Sequence, residues 1–275
     1  MLPKKIQSCL KNKLSLSLFI LIIALISIFS TLLIFYTKSY DYISKEDHII
    51  EYASSFFLLL SSIYFLRALV YSKKAKTTKK KKWLFLLLLI LSIMFFFGAG
   101  EEISWGQRIF NLQTPEYLSN INDQNEPNIH NINKKFFDRA LDRFTILFVI
   151  IGTGLLLMKK EKFLGIQKPD LLIICAFAIT PFYKQNIVLD FYHILYLPLI
   201  FLLVHSIINK AKLPSFILIT TLIFSFLIPI IHTNNHHLFP LHNNSANEYK
   251  EFLFCLCCLG YSYITMWEFK LDALK

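Results

Sequence analysis

Long apolar runs, separated by short polar connections, dominate the hydrophobic pattern of this chain. Eight such runs can be marked along the 275 residues. A helix needs about 20 residues to cross the ~30 Å hydrocarbon core of a membrane, and most of the runs reach that length. Their approximate bounds are 14–36, 49–71, 83–100, 136–158, 171–183, 189–208, 214–231 and 251–267. The pattern predicts an all-α, polytopic membrane bundle of about eight transmembrane helices, in one domain over residues 1–275.

Two runs need a separate interpretation. The run 171–183 is short and has Pro181 near its end, which predicts a broken or half-buried helix. The run 14–36 is longer than the apolar core of a signal peptide, and the residues after it offer only a poor small-x-small cleavage site. We therefore expect an uncleaved first helix, with a cleaved signal peptide as the alternative.

Composition supports a membrane protein over a soluble one. The chain is 55% hydrophobic and 17% charged, whereas a soluble domain carries nearer ~25% charged residues. Glycine occurs seven times, so a glycine-rich phosphate loop is not expected. The five cysteines are interpreted as small apolar side chains, because no Cys-x-x-Cys pair is present.

The position of the positive charge predicts the orientation. The net charge is +11, and lysines gather in the N-terminal segment and in the connections 72–83, 159–170 and 209–214. With the N-terminus in the cytoplasm, every strongly basic connection falls on the cytoplasmic side, as the positive-inside rule requires. We expect N-in, C-in topology, and membrane lipids rather than nucleic acid as partners. The long connection at about 101–135 then lies outside the cytoplasm.

A polar box, Gly-Glu-Glu-Ile-Ser-Trp-Gly-Gln-Arg, follows the third apolar run directly. The run 83–100 spans roughly 27 Å as a helix, so the two glutamates emerge near the outer edge of the hydrocarbon. If the helix continued, Glu101, Ser104 and Arg108 would share one face and Glu101 would stack on Trp105. The candidate catalytic residues of this box are Glu101, Glu102, Ser104, Gln107 and Arg108.

The arginine of this box could bind an anionic headgroup, because a guanidinium group binds phosphate or carboxylate as a planar fork. The alternative is structural. A pair between Arg108 and a glutamate would fasten the end of the helix to the connection that follows. The residues alone leave both interpretations open.

A second box, residues 120–131, carries polar side chains at every second position. In an extended strand, alternate side chains point the same way, so the box would present one polar edge. Glu126 and His130 are its candidate catalytic and metal-ligating residues. The alternative is an asparagine-rich exterior loop whose period of two is accidental.

Asp190 and His193 form a third candidate group, three residues apart at the start of the sixth run. On a helix they would share a face, and a carboxylate beside an imidazole can hold a metal or act as an acid/base pair. Structurally, Asp190 would only offset the helix dipole.

His232 and His236 are four apart, but nearby asparagines and Pro240 predict a loop, which weakens that spacing as a metal signal.

The boxes "GEEISWGQR" and "NDQNEPNIHN", with "TPE" between them, resemble a family of bacterial multi-pass membrane proteins. The opening of the second run, "EDHIIEYASS", is also similar, with His48 where glycine is commoner. The resemblance covers roughly the second to fourth runs. It implies that the two boxes belong to one site in a bacterial cytoplasmic membrane, and it implies no particular reaction.

The function expected from these residues is an enzyme, hydrolase- or transferase-like, that acts on a lipid or envelope precursor at the outer membrane interface. His130, Asp190 and His193 are the expected ligands of a divalent metal such as Zn²⁺. A transporter or a lipid-binding protein without catalysis is the alternative. A third interpretation is a scaffold protein, in which the two polar boxes only hold helices together.

Overall fold

The computed structural model describes residues 4–44, 49–74, 81–107, 110, 113–116, 134–158, 162–183, 191–234 and 245–274. Nine α-helices and one two-stranded hairpin form in these residues. The helices are α1 (Lys4–Phe35), α2 (Thr37–Ser44), α3 (Ile49–Lys74), α4 (Lys81–Glu102), α5 (Lys134–Leu157), α6 (Leu171–Ile179), α7 (Tyr196–Ile208), α8 (Lys212–Asn234) and α9 (Ser245–Ala273). The hairpin strands are β1 (Lys162–Phe163) and β2 (Ile166–Gln167).

Six helices of the described residues are long and apolar enough to cross a membrane. They are α1, α3, α4, α5, α8 and α9, and the prediction of an all-α membrane bundle is confirmed. The other two predicted runs form shorter apolar helices. Leu171–Phe182 and His193–Ile208 are below the length that a full crossing needs.

The fifth run is broken as predicted. Asp170 caps the start of α6, because its side chain accepts a hydrogen bond from the Ile173 amide at 3.0 Å. The α-helix ends at Ile179 and continues as one 3₁₀ turn over Thr180–Phe182, where Pro181 occupies the start of the turn. From Ile173 onward the segment is buried, so α6 is an interior helix surrounded by the others.

Contacts between distant residues assign the helix ends to two ends of the bundle. At one end, Ser15 of α1 donates a hydrogen bond to Asp170, and Lys162 pairs with Asp272 at 3.1 Å. We call this the hairpin end. At the other end, Tyr249 of α9 donates to the Tyr40 carbonyl at 2.8 Å. Because residues 100–107 lie here, we call it the box end.

Helix α9 is the central packing element at the box end and along α3. It runs in the same direction as α3, with Phe57 facing Phe252 at 5.4 Å and Tyr64 facing Tyr263 at 5.2 Å between ring centroids. Gly260 of α9 lies against Leu18 of α1, where an added Cβ would come within 2.4 Å of a Leu18 methyl carbon. This close approach requires glycine at position 260.

Serine hydroxyls join α3 to α4 inside the apolar layer. Ser55 donates to the Ala99 carbonyl at 2.7 Å, and Ser92 donates to the Ser62 carbonyl at 3.0 Å. The two serine hydroxyls, Ser62 and Ser92, are also 3.1 Å apart. Small hydroxyl residues let membrane helices approach closely and satisfy polar atoms that lipid cannot.

Two connections contain secondary structure that the apolar pattern did not predict. The connection after the first run forms α2, because Tyr40 is buried against Tyr249 with ring centroids 4.4 Å apart. The connection at the hairpin end forms β1 and β2, and both turn residues, Leu164 (φ 51°) and Gly165 (φ 92°), have positive φ. Two positive φ values are the signature of a type I′ hairpin turn.

Candidate functional site

The first polar box forms a tight turn rather than a continued helix. Helix α4 includes Glu101 and Glu102 and ends there, and a 3₁₀ turn follows over Ser104–Gly106. Ser104, Trp105 and Gly106 have φ values of 46°, 54° and 75°. Consecutive left-handed residues that are not glycine are strained by ~1–3 kcal/mol each and often mark functional sites. The continuous helix that would carry Glu101 and Ser104 on one face is therefore not formed, and Arg108 lies outside the described residues.

Trp105 is the residue that closes this turn onto the end of α4. Its Nε1 donates a hydrogen bond to Oε1 of Glu101 at 2.8 Å, a contact that the turn makes and not the continued helix on which the predicted stacking depended. Its ring covers Gly100, where an added Cβ would lie 2.8 Å from ring carbons. Glu101 thus holds the turn, and Gly100 leaves room for the ring.

Glu102, the last residue of α4, lies near α9. Cys255, which is buried in α9, lies within electrostatic range of both Glu102 and Glu251. Ser54 of α3 also lies near this cysteine. Glu102 and Glu251, which are both half-buried, therefore lie near the same buried cysteine at the box end.

The remaining described residues of the first box are partly enclosed. Ser104 is buried, and Gln107 donates through Nε2 to the Thr114 hydroxyl at 2.5 Å. The other amide atom, Oε1 of Gln107, is buried and accepts no hydrogen bond within the described part of the chain. A buried amide oxygen without a donor is an acceptor available to a hydroxyl or ammonium group.

A buried ion pair lies at the same end, and the sequence analysis missed it. Lys250 of α9 is 1% exposed, and its Nζ lies 3.2 Å from Oδ1 of Asp142 in α5. Two signals could have found the pair. Asp142 is an acid inside a predicted membrane run, and Lys250 is a lysine at the end of the bundle opposite the lysine-rich connections.

Three buried tyrosines, Tyr40, Tyr183 and Tyr249, pack together beside this ion pair. Phe29 of α1 completes the cluster, 4.3 Å from Tyr249 and 6.2 Å from Tyr183 between ring centroids. Burial raises the pKa of the Tyr40 hydroxyl well above its ordinary value, so Tyr40 stays neutral. The α2 segment is also joined to α9 by Ser245, which donates to Asp41 at 3.2 Å.

The predicted metal ligands are not brought together by the described residues. His193 lies in a 3₁₀ helix over Phe191–Leu195, where its exposed ring stacks on Tyr196 with centroids 6.1 Å apart. Arg108, Glu126, His130 and Asp190 lie outside the described residues. Within the described ranges, no group of three or more His, Cys, Asp and Glu side chains is placed to hold a metal ion.

Comparison with known proteins does not assign this site. No protein-family model, no curated protein and no solved structure matches the chain. The fold identifies a membrane-embedded, multi-pass helical protein. Its polar centre combines the strained turn, Glu102 with Glu251, and the Lys250–Asp142 pair at one end of the bundle.

Proposed function

We propose that this protein is a membrane enzyme, hydrolase- or transferase-like, that acts on a lipid or envelope precursor at the box end. The observation that carries the proposal is the position of Glu102 and Glu251, both half-buried, near the same buried cysteine and next to a strained turn. Ionisable side chains at the membrane boundary are costly, and those kept there facing the protein interior favour function over chance.

The chemistry that suits this arrangement is general acid and base catalysis. Hydrolases of several kinds use a pair of carboxyl groups in this way, one to take a proton and one to supply it. In the proposal, Glu102 is the base that activates the attacking hydroxyl or water, and Glu251 assists it. The orphaned Oε1 of Gln107 accepts a hydrogen bond from the polar part of the substrate.

The remaining roles rest on residues that the sequence analysis singled out. Arg108 binds the anionic headgroup, and Ser104 and Glu126 belong to the same site. His130, Asp190 and His193 would hold a divalent metal such as Zn²⁺, which would polarise the bond to be broken. The positive-inside rule places this site on the periplasmic or exterior side of the bacterial cytoplasmic membrane.

The decisive experiment replaces Glu102 with glutamine, which keeps the shape of the side chain and removes its charge. Cells lacking the gene are complemented with wild type, with Glu102→Gln or with Glu116→Gln, and their lipids and envelope precursors are compared. Glu116 is an exposed carboxylate in the same connection and is the matched control. We expect Glu102→Gln to fold normally and fail to restore the wild-type profile, whereas Glu116→Gln restores it. Full restoration by Glu102→Gln, or failure of that variant to fold, would refute the proposed role.

The metal is tested separately on the purified protein. A ligand at 100 times its Kd stabilises a folded protein by ~2.7 kcal/mol, so a metal site gives a concentration-dependent rise in Tm. We expect Zn²⁺ to raise the Tm of wild type and to have a smaller effect on His193→Ala. If no divalent ion changes the Tm, the metal part of the proposal is wrong, and the proposed mechanism is reduced to catalysis by the carboxylates alone.

A transporter is the second candidate, favoured by the short interior helix α6 and its 3₁₀ ending at Thr180–Phe182. Interrupted helices beside buried charges form substrate sites in many transporters. The two functions differ in what happens to the lipid. Incubation of purified protein with a lipid extract, followed by mass analysis, gives a new chemical species only if the protein is an enzyme.

A further inference from the structure

An apolar groove opens between α4 and α5 and extends from Phe144, two residues beyond Asp142, to the hairpin. It encloses about 240 Å³. Leu91 and Phe95 of α4 form one wall, Phe148 and Leu155 of α5 form the other, and Tyr261 of α9 lies at the back. The lining is almost entirely apolar, and such cavities do not hold ordered water.

The groove exists because α4 and α5 pack on different neighbours. Helix α4 packs on α3, whereas α5 packs on α6 through Gly152, which lies against Ile174. At the hairpin end of the groove, the hairpin keeps the two helices apart. Ile166 packs with Leu84 and Leu88 of α4 in a second hydrophobic cluster, and the Tyr261 hydroxyl donates to the Gln167 carbonyl at 3.0 Å.

The length of the groove corresponds to one membrane leaflet. Its lining on α5 runs from Phe144 to Leu155, which is about 16 Å along a helix. Half of the hydrocarbon core is about 15 Å thick. A single acyl chain that enters from the hairpin end would therefore be enclosed over most of its depth in that leaflet.

A lysine stands at the mouth of the groove. Lys168 follows the hairpin directly and contributes to the lining. The neighbouring hairpin lysine, Lys162, is already paired with Asp272 at 3.1 Å. Lys168 lines a small neighbouring cavity together with Asp170 and Glu268, but no ion pair within 4 Å joins it to a carboxylate in the described part of the chain. Its positive charge is therefore available to a negative group at the level of the lipid headgroups.

We propose that this groove is a binding site for one anionic phospholipid of the leaflet at the hairpin end. The acyl chain fills the gap between α4 and α5, and the phosphate interacts with Lys168. Burial of the chain against apolar side chains supplies packing contacts, and the lysine supplies the preference for negative charge. This site is separate from the polar centre at the box end, and it does not depend on the function proposed for that centre.

Native mass spectrometry of the purified full-length chain tests the proposal. The protein is reconstituted with an equimolar mixture of phosphatidylglycerol and phosphatidylcholine, and the retained lipids are counted. One lysine near the surface contributes about 1 kcal/mol toward an anionic lipid, so we expect about a fivefold preference for phosphatidylglycerol. Lys168→Gln should abolish this preference, whereas Lys212→Gln, an exposed lysine outside the groove lining, should keep it.

A second pair of variants tests the acyl-chain part. Ile151 lines the groove and is 37% exposed, whereas the adjacent Ile150 is 44% exposed and lies outside the lining. Ile151→Trp should lose the retained lipid, and Ile150→Trp should keep it. If Ile151→Trp fails to fold, Leu147→Trp at the same rim, 56% exposed, replaces it. Equal retention by the groove and control variants, or no preference of wild type for phosphatidylglycerol, would overturn the proposal and indicate ordinary surrounding lipid.

Discussion

Lys250 is buried to 1% exposure although it lies where α9 enters the apolar layer. Its partner, Asp142, comes from α5, and their charged atoms are 3.2 Å apart. A buried charge is tolerated only when it is paired and hydrogen-bonded, because water no longer solvates it. The pair therefore connects the box ends of α5 and α9, whatever the chemistry of the neighbouring carboxylates.

The first prediction concerns the stability that depends on this pair. Asp142→Leu leaves the Lys250 charge buried without its partner and should lower the free energy of unfolding by ~3–5 kcal/mol. The double variant Asp142→Leu with Lys250→Met replaces both charges with apolar side chains of similar size and should recover most of that loss. Denaturant unfolding of the purified protein in detergent micelles measures both.

An exposed ion pair of similar geometry provides the control. Lys162 and Asp272 are 3.1 Å apart, but their side chains are 39% and 24% exposed. Water screens such a pair, so Asp272→Leu should cost less than ~1 kcal/mol. The free energy of unfolding lost in the Asp142→Leu and Lys250→Met double variant could equal the sum of the losses in the two single variants. That result would show that the two buried side chains act independently, contrary to this prediction.

The candidate site was only partly predictable at the level of residues. Glu101 and Glu102 were found because two carboxylates after a long apolar run are conspicuous in one stretch of sequence. Lys250 and Asp142 are 108 positions apart, so their pairing depends on the way α5 packs against α9. The backbone turn at Ser104 and Trp105 was also not predictable, because it departs from the helical φ values that both residues usually adopt.

At the level of elements, the hairpin at residues 162–167 depends on a single glycine. Gly165 has φ 92°, where a residue with a side chain is strained, and an added Cβ would lie 3.2 Å from Leu84 of α4. The hairpin in turn keeps α4 and α5 apart at the mouth of the groove. Loss of the turn would therefore affect the packing of both helices.

The second prediction is that Gly165→Ala lowers the free energy of unfolding by ~1–2 kcal/mol, the usual strain of a left-handed residue. Gly154→Ala is the matched control, because the nearest atom to its added Cβ is 3.8 Å away and the position is helical. Alanine favours a helix interior by up to ~1 kcal/mol over glycine, so Gly154→Ala should stabilise the protein. The two substitutions should shift the Tm in opposite directions, and a shift in the same direction would contradict the assigned turn.

The six long helices were the most predictable elements, because the apolar run of each was long enough to indicate its own span. Short elements were not predictable, since they depend on distant contacts. Helix α2 is held by Tyr40 against Tyr249, and the hairpin is held by Ile166 in the cluster of α3, α4 and α9. Polar connections of this kind contain no local hydrophobic period that would reveal them.

At the scale of the whole molecule, the two ends of the bundle differ in their charged residues. Among the described residues, the box end has Glu102, Glu251 and the buried ion pair, and the hairpin end has Lys74, Lys162, Lys168 and Lys212. Contacts at each end place the alternate helix termini together, as a bundle that crosses back and forth would require. Both proposals depend on this separation, because they assign the polar site and the phosphate of the bound lipid to opposite ends of the bundle.

The third prediction concerns orientation in the cell. Gln113 is exposed at the box end, and Lys210 is exposed in the connection between α7 and α8. In a variant with Cys9 replaced by serine, the described cysteines are all buried and should react slowly with a maleimide. The positive-inside rule predicts that a membrane-impermeant maleimide labels Gln113→Cys in intact cells, and labels Lys210→Cys only after the membrane is permeabilised.

Labelling of both positions from the same side would place the two ends in one compartment. That result would exclude a polar site and a lipid groove in opposite leaflets, whereas labelling of Lys210→Cys alone in intact cells would invert the orientation and move the polar site to the cytoplasmic face.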